Sequence, residues 1–438
     1  MNGTIIDVED GKSFVGSILI VKDKIIKIYR QTENLPEDVY RVDATGKFLI
    51  PGLIDMHCHI NVGYAPYFVA SGVTTVRNTA GNVIALKELI DNPADVPTPR
   101  VYSADRMIDG TPGQWGPTSY GNLVTDDPEI ARKEVRRQLS VGVKFIKLYG
   151  WVNSDVMAAV VDEASKYHLE VAIDLLNSHD MTALDAAKMG VTWFEHASGF
   201  AQEIYPGWNP LADQEEWKHI DWEEPDKEKI RNLCQKMLRY KVKLCPTLVL
   251  TDQAIRFPTI WTPDNLVMRS MKNNSELMKQ WDSLSEHIES IKKQNTIIHA
   301  FTKEVAKTYS QLGGTVVAGT DTPALLYTFP GMALHRELEI FVEIGFSELA
   351  ALQAATIHAA NAINLSDIGS IKEGKTADIV ILEKDPLENI SNTQEILYVI
   401  KGGKVNKQQD ILDHIPSKEV SKKAMEDFLI EWESLYMS

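Results

Sequence analysis

Two histidines separated by a single residue follow an apolar run near the start of the chain. Residues 48–55 predict a buried strand, and His57 and His59 come directly after it. Alternate residues of an extended chain face the same side, so both imidazoles would point in one direction. Imidazole nitrogen is a common zinc ligand, and such a pair can share one cation. The spacing therefore predicts a metal site, although a His-x-His pair by itself also occurs by chance.

Three more residues with useful chemistry end other strand-like segments. Lys147, His196 and Asp321 each stand at or just after the end of such a segment. Taken singly, they could be a surface or salt-bridged lysine, a structural histidine and a helix-capping aspartate. Catalytic groups of barrel enzymes come from the carboxyl ends of several strands. Their shared position therefore favours one common site over separate accidents.

The elements that must position these residues alternate between strand and helix. Helical patterns lie between most of the strand candidates, and one opens at Asp127-Pro128, where a capping aspartate precedes a proline. Another opens at Asn153-Ser154. Eight strands alternating with helices predict a parallel (β/α)8 TIM barrel of the α/β class. The eight strand candidates are residues 48–55, 73–77, 100–104, 143–148, 170–175, 191–195, 243–250 and 314–318.

Both chain ends have a short-stranded, β-rich texture that differs from the middle. We expect residues 1–50 and 366–408 to form one small β-sandwich domain around a barrel of residues 51–365. Two stretches, about 201–226 and 251–311, are too long for simple barrel loops, and such excursions often serve as lids or binding loops. An oligomer contact or plain decoration is an equal alternative for them. Residues 409–438 predict a helical tail.

The composition excludes some classes of protein. Among 438 residues, 45 basic side chains face 61 acidic ones, and the net charge of −16 disfavours nucleic-acid binding. Three dispersed cysteines argue against a disulfide framework. No apolar run reaches the roughly 20 residues of a membrane span, and the N-terminus lacks the pattern of a signal peptide. We therefore expect a cytoplasmic protein that acts on a small molecule without membrane or nucleic-acid partners.

Six sequence stretches, in this order along the chain, resemble the amidohydrolase superfamily, and in particular its imidazolonepropionase-like and Xaa-Pro dipeptidase-like branch. The resemblance implies a (β/α)8 barrel flanked by a β-sandwich of both chain ends, and it leaves room for a homo-oligomer. The stretches are "FLIPGLIDMHCH", "GVTTVRN", "VKFIKLYG", "GVTWFEH", "VAGTD" and "GSIKEGKTADIVIL".

Carried over by position, the resemblance also implies a set of ligands. His57 and His59 would bind a first metal ion, and His196 would serve a second. Lys147 would be the lysine that family members carboxylate to bridge two metals, and Asp321 would be both ligand and proton shuttle. The implied cofactor is one or two zinc ions, with manganese or another divalent metal as alternatives.

Strand five departs from the family pattern. Members ordinarily carry a histidine there for the second metal, whereas this chain has Asp174. Altered ligation by Asp174 is favoured, because a carboxylate oxygen is a normal ligand of divalent cations. Alternatively, His179 bends back to the metal, or the site holds one metal. In a mononuclear site Lys147 would stay an ordinary cation that could pair with Asp174.

Smaller departures concern the mouth of the barrel. Asn78 stands where the family usually has an aspartate, and Trp115 stands where relatives often show a histidine. Trp115, Tyr149 and Arg77 are the candidates for contact with substrate, and packing at the barrel rim is the alternative for Tyr149. These changes fit either an unusual substrate or decayed catalysis.

The predicted function is hydrolysis of an amide or cyclic-amide C–N bond, in a dipeptide-like or N-acyl substrate, by a metal-activated water. One alternative is a mononuclear lyase or isomerase on the same barrel. Another is a catalytically inactive binding homologue, which the retention of five ligating or charged groups disfavours.

Overall fold

A computed structural model of the chain describes residues 1–30, 36–178, 181–210, 212, 215–273 and 275–436. The strands are β1 Gly3–Ile6, β2 Ser13–Val21, β3 Lys24–Tyr29, β4 Phe48–Pro51, β5 Leu53–Cys58, β6 Val73–Asn78, β7 Arg100–Ser103, β8 Met107–Asp109, β9 Asn122–Val124, β10 Phe145–Tyr149, β11 Glu170–Asp174, β12 Trp193–Glu195, β13 Lys243–Cys245, β14 Thr315–Val316, β15 Ile379–Leu382, β16 Ile396–Lys401 and β17 Lys404–Asn406.

The helices lie mainly between the barrel strands and at the C-terminal end. They are α1 Ala65–Ala70, α2 Lys87–Asp91, α3 Pro128–Ser140, α4 Ser154–Ser165, α5 Ala183–Met189, α6 Phe200–Ile204, α7 Lys227–Leu238, α8 Leu248–Arg256, α9 Leu266–Lys272, α10 Ser275–Ser285, α11 Ile288–Gln311, α12 Met332–Glu343, α13 Glu348–Ala354, α14 Ile357–Ala362, α15 Gln408–Leu412, α16 Lys418–Tyr436 and a 3-10 helix at Ile390–Gln394.

Eight parallel strands form the centre of the molecule. Strands β5, β6 and β7 pair in one sheet, and β10 to β14 pair in sequence in another. Backbone hydrogen bonds join the two sheets on both sides, from Lys144 N to Ser103 O at 2.9 Å and from Met56 N to Ala318 O at 2.9 Å. Each predicted strand segment overlaps one of these strands, although residues 48–51 of the first segment form β4, which lies in a different sheet. Together the eight strands close a ring, as the sequence predicts.

Side chains pointing into the ring fill it below the carboxyl ends of the strands. Met56, Phe145 and Trp193 belong to one buried cluster inside the barrel, each with 2% exposure or less. Bulky inward-facing residues make the barrel interior a packed core rather than a pore. The functional groups must therefore lie above this layer.

The local signals for helix starts are confirmed. Asp127 caps α3 by accepting hydrogen bonds from Glu129 N and Ile130 N, and Pro128 occupies the first helical turn. Asn153 caps α4 through Val156 N. These side chains satisfy backbone donors that lack partners inside the helix.

Two details of the barrel differ from the sequence-based expectation. The seventh strand ends at Cys245 instead of Leu250, because Pro246 cannot continue a ladder and Thr247, with φ +49°, turns the chain into α8. Strands β8 and β9 were not predicted. They continue the sheet beside β10, where Ile108 is paired with Leu148.

The two chain ends meet in one seven-stranded sheet of order β17-β16-β15-β4-β1-β2-β3. Strand β4 is parallel to β1 and antiparallel to β15, so it joins the N-terminal and C-terminal contributions. A face-to-face sandwich and the domain boundaries given above stay predictions. At the C-terminus, the predicted helical tail contains α15 and α16, and α16 buries Phe428 and Trp432. No helix in the described parts of the chain is long and apolar enough to cross a membrane.

Candidate metal centre

His57 and His59 meet Asp321 at the open end of the barrel. Nε2 of His57 lies 3.1 Å from Asp321 Oδ1, and Nε2 of His59 lies 2.8 Å from the same oxygen. One donor atom from each residue lies within 4.8 Å of the others. Asp321 reaches this position because its backbone N–H donates to His57 O at 2.7 Å, and its φ of +57° turns the chain after the eighth strand.

The imidazoles of this site are oriented by bonds at their other nitrogen. Nδ1 of His57 donates to Glu195 Oε2 at 2.7 Å, and Nδ1 of His196 lies 2.5 Å from Thr247 Oγ1. Nε2 of His196 then lies 3.6 Å from Asp174 Oδ2 and 3.9 Å from Asp321 Oδ2. Bonds of this kind keep the Nε2 atoms directed at one spot, as in histidines that bind metals.

Glu195 is a further residue of this site, and the sequence alone did not single it out. Its carboxylate is fully buried and also accepts a hydrogen bond from Arg77 at 2.8 Å. Burial opposes its ionisation, but Arg77 and His57 outweigh burial and hold the pKa of Glu195 well below the usual value. The available signal was its place between Phe194 and His196. In a regular strand the side chains of neighbouring residues point to opposite faces, so Glu195 and His196 would not be expected at one site. The positive φ of His196 (+60°) turns the chain just after β12, so both side chains reach the site.

Arg77 does not face the mouth of the barrel, so its expected contact with substrate is not what the structure shows. Its side chain is fully buried and lies between the rings of Phe145 and Trp193, at 4.1 and 4.2 Å from their centroids. It is an inward-facing residue of β6, where the carboxylate of Glu195 compensates its charge. Arg77 therefore acts on the site indirectly, from the barrel core, through its ion pair with Glu195.

Lys147 and Asp174 lie on the paired strands β10 and β11, where Lys147 is opposite Ala172 and Asp174 is opposite Tyr149. Lys147 Nζ and Asp174 Oδ1 are buried, and neither has a hydrogen-bond partner among the residues that the structure describes. Within the described residues no ion pair joins the two, so the pairing considered for a mononuclear site is not formed. Burial is the main cause that lowers the pKa of Lys147.

The donor set fits a divalent cation. Three buried carboxylates, those of Asp174, Glu195 and Asp321, lie beside the imidazoles of His57 and His196, so oxygen and nitrogen donors are gathered in one place. Buried polar atoms are normally hydrogen-bonded. A bound cation would satisfy the unpartnered oxygen of Asp174 and the Nε2 atoms of the histidines. The site can therefore hold a metal with nitrogen and oxygen ligands.

The remaining predicted residues lie around this centre. The ring centroid of Tyr149 is 5.8 Å from Lys147 Nζ, and Trp115 is 65% exposed on the loop between β8 and β9. Asn78 accepts from Ile60 N at 2.9 Å and donates to Ser103 Oγ at 3.0 Å, so it ties the segment after His59 to the neighbouring strand. His179 lies outside the described residues.

Comparison with known proteins decides the family. The sequence profile described as the amidohydrolase family matches residues 48–406. The chain belongs to the amidohydrolase family. This confirms the resemblance drawn from the motifs, and the protein is an enzyme of a family of hydrolases that act on carbon–nitrogen bonds.

Individual relatives of this amidohydrolase are distant. Ochratoxinase of Aspergillus niger is 24% identical over 471 residues, covering 91% of this chain and 84% of the relative. A putative prolidase from Bifidobacterium longum has a TM-score of 0.69 at 22% identity, with 98% of both chains covered. A Xaa-Pro dipeptidase solved with methionine in its active site has a TM-score of 0.67 at 19% identity, covering 92% of this chain and 98% of that one. At these identities the structures establish the shared fold.

Proposed function

We propose that this amidohydrolase is metal-dependent and cleaves an amide or cyclic-amide C–N bond in a dipeptide-like or N-acyl small molecule. The observation that carries the proposal is the convergence of the Nε2 atoms of His57, His59 and His196 on the carboxylates of Asp321 and Asp174. The likeness to a putative prolidase and a Xaa-Pro dipeptidase supports the dipeptide-like substrate.

His57, His59 and Asp321 would hold a first divalent cation, zinc or in its place manganese, and His196 and Asp174 would hold a second. A cation bound there supplies a Lewis acid that polarises a carbonyl and lowers the pKa of water. This assignment follows from the nitrogen and oxygen donors within reach and from the unpartnered oxygen of Asp174.

Lys147 would supply a further ligand after carboxylation. Burial lowers the pKa of its amine and so favours the neutral form, which is the form that adds to CO2. The addition forms a C–N bond and releases one proton, so an orphaned buried amine becomes a carbamate anion. The lysine would then complete the site between the two groups of ligands.

Asp321 would move the proton during hydrolysis. Burial opposes its ionisation, but attraction to His57 and His59 holds the pKa of Asp321 well below its usual value, so it is an anion that can accept a proton. It takes a proton from the attacking water and delivers one to the leaving nitrogen, which departs as an amine. The same residue thus acts as base and then as acid.

The proposal is tested by elemental analysis together with a hydrolysis assay on dipeptides and N-acyl amino acids. We expect about two metal ions per chain; about one would support a mononuclear site. No bound metal, with no gain in thermal stability on adding zinc or manganese, would overturn the proposal.

Asp321→Asn should lower the rate of hydrolysis by roughly 100-fold or more while most of the metal stays bound. A matched control is Asp378→Asn, which removes a buried aspartate paired with Arg100 at 3.1 Å, away from the site. The control should change stability and leave hydrolysis intact. Full activity of Asp321→Asn would refute the role of Asp321.

A further inference from the structure

A small cavity lies beside His196 and is bounded by the two long excursions from the barrel. Trp208 and Ala201 come from the first excursion, and Ile298 and Phe301 come from α11 in the second. His196 belongs to the cavity wall and, through Nε2, to the candidate metal centre. The two insertions that the sequence marks as unusually long therefore meet next to the reacting groups.

The polar side chains of the wall are already used inside the fold. Ser198 Oγ accepts from Leu175 N at 2.8 Å, Gln202 Nε2 donates to Leu175 O at 3.0 Å, and Thr302 Oγ1 donates to His196 O at 3.1 Å. These hydrogen bonds hold the cavity wall in place and leave the three side chains fewer free donors and acceptors for a ligand. The cavity therefore presents mainly apolar surface.

Trp208 is different, because its one polar side-chain atom lacks a partner in the part of the chain that the structure describes. The residue is 4% exposed, and its Nε1 is buried without a hydrogen bond among the described residues. A buried indole N–H normally finds an acceptor. Trp208 lines the cavity and has an unused donor, which an oxygen atom of a bound ligand would satisfy.

The size of the cavity limits the ligand. Its volume is about 50 Å³. A water molecule needs roughly 10–15 Å³ on this measure, so the space corresponds to about four heavy atoms. That is the size of a short aliphatic side chain, and it is smaller than a bicyclic aromatic group.

We propose that this cavity binds a short aliphatic side chain of the substrate, with Trp208 Nε1 donating a hydrogen bond to a carbonyl or carboxylate oxygen of the same residue. The inference rests on the proposed function, because it gives the hydrolase a preference for amides of amino acids such as leucine or valine. Ala201 and Trp208 are then residues that determine specificity.

The test is calorimetric binding of free leucine and free glycine to the metal-loaded protein, since neither has an amide bond to cleave. We expect leucine to bind roughly ten-fold more tightly or better, which is the usual discrimination by apolar pockets. Ala201→Leu fills the cavity and should bring the ratio of the leucine affinity to the glycine affinity close to one. Trp208→Phe keeps a ring but removes the N–H donor, so it should weaken both ligands alike by roughly ten-fold.

Trp222→Phe is the matched control. Its ring centroid is 4.9 Å from that of Trp208, but it does not line the cavity, so binding of leucine should not change. If Ala201→Leu does not fold, Ala201→Val makes the same test with a smaller loss of preference. Equal binding of leucine and glycine, no detectable binding of leucine, or an unchanged preference in the filled variant would overturn the inference.

The outcome is separable from that of the proposed function. Leucine binding that depends on Ala201, without cleavage of any amide, would refute the hydrolase and retain the pocket. Amide cleavage with equal kcat/KM for glycine-containing and leucine-containing dipeptides would refute the pocket and retain the hydrolase.

Discussion

Glu195→Gln should separate two roles that one buried carboxylate performs. Its Oε1 accepts from Arg77 and its Oε2 accepts from His57, at 2.8 and 2.7 Å, and the side chains of both partners are at most 2% exposed. The glutamine keeps the shape but leaves the Arg77 guanidinium without a counter-charge. Breaking a buried pair in this way costs about 3–5 kcal/mol of unfolding free energy.

The same substitution should weaken metal binding. A neutral amide oxygen still accepts a hydrogen bond from His57 Nδ1, but it makes Nε2 a weaker electron-pair donor to the metal. Residues that hydrogen-bond to a metal ligand in this way contribute about 10–100-fold in metal affinity. Because one hydrogen bond remains, we expect a loss of zinc affinity at the lower end of this range, about ten-fold. Urea unfolding measures the first effect, and zinc titration against a chelator measures the second.

The double variant Arg77→Met, Glu195→Gln distinguishes the two effects. Without the guanidinium there is no unpaired buried cation, so at least half of the lost stability should return, while the zinc affinity stays low. Asp252→Asn is a matched control, since it breaks the buried pair with Arg336 at 2.9 Å and should leave zinc binding unchanged. Normal zinc affinity in both variants, or zinc affinity that recovers together with stability, would show that Glu195 does not act on the metal through His57.

Two further predictions concern Asp174 and His335. Asp174→Ala should reduce the bound metal from about two ions to about one, because it removes the oxygens next to His196, whereas Asp174→His should keep two ions. Elemental analysis measures the metal content. An unchanged content in the alanine variant would contradict the role of Asp174 as a ligand. His335 is fully buried against Ser71 O and Thr393 Oγ1, and burial lowers its pKa from 6.5 to about 4. Between those pH values the unfolded chain binds a proton that the folded chain does not, so stability falls as pH drops from 6.5 to 4, by about 3 kcal/mol. His335→Gln should flatten this slope in urea unfolding at pH 4 to 7; an equal slope would show that another group dominates acid unfolding.

The local part of the architecture could be predicted from the sequence because its causes are local. Apolar runs indicate buried strands, and Asp127 and Asn153 cap helices through backbone groups two or three residues away. The shared position of donors at strand ends was also visible, since closing a parallel barrel gathers those ends. Strands β8 and β9 were missed because three residues carry too little periodicity to indicate a strand.

The sequence by itself indicated the family, the barrel strands and the strand-end residues of the candidate site, and the spacing and position of His57 and His59 predicted a metal site. Only the tertiary structure decided which side chains support that site. Glu195 lies 138 residues from His57 and 118 from Arg77, and no spacing rule connects them. Their contact depends on barrel closure and on the turn at His196, and the cavity at Trp208 depends on two insertions meeting. Long-range packing sets these partners, so they appear only when the chain is folded.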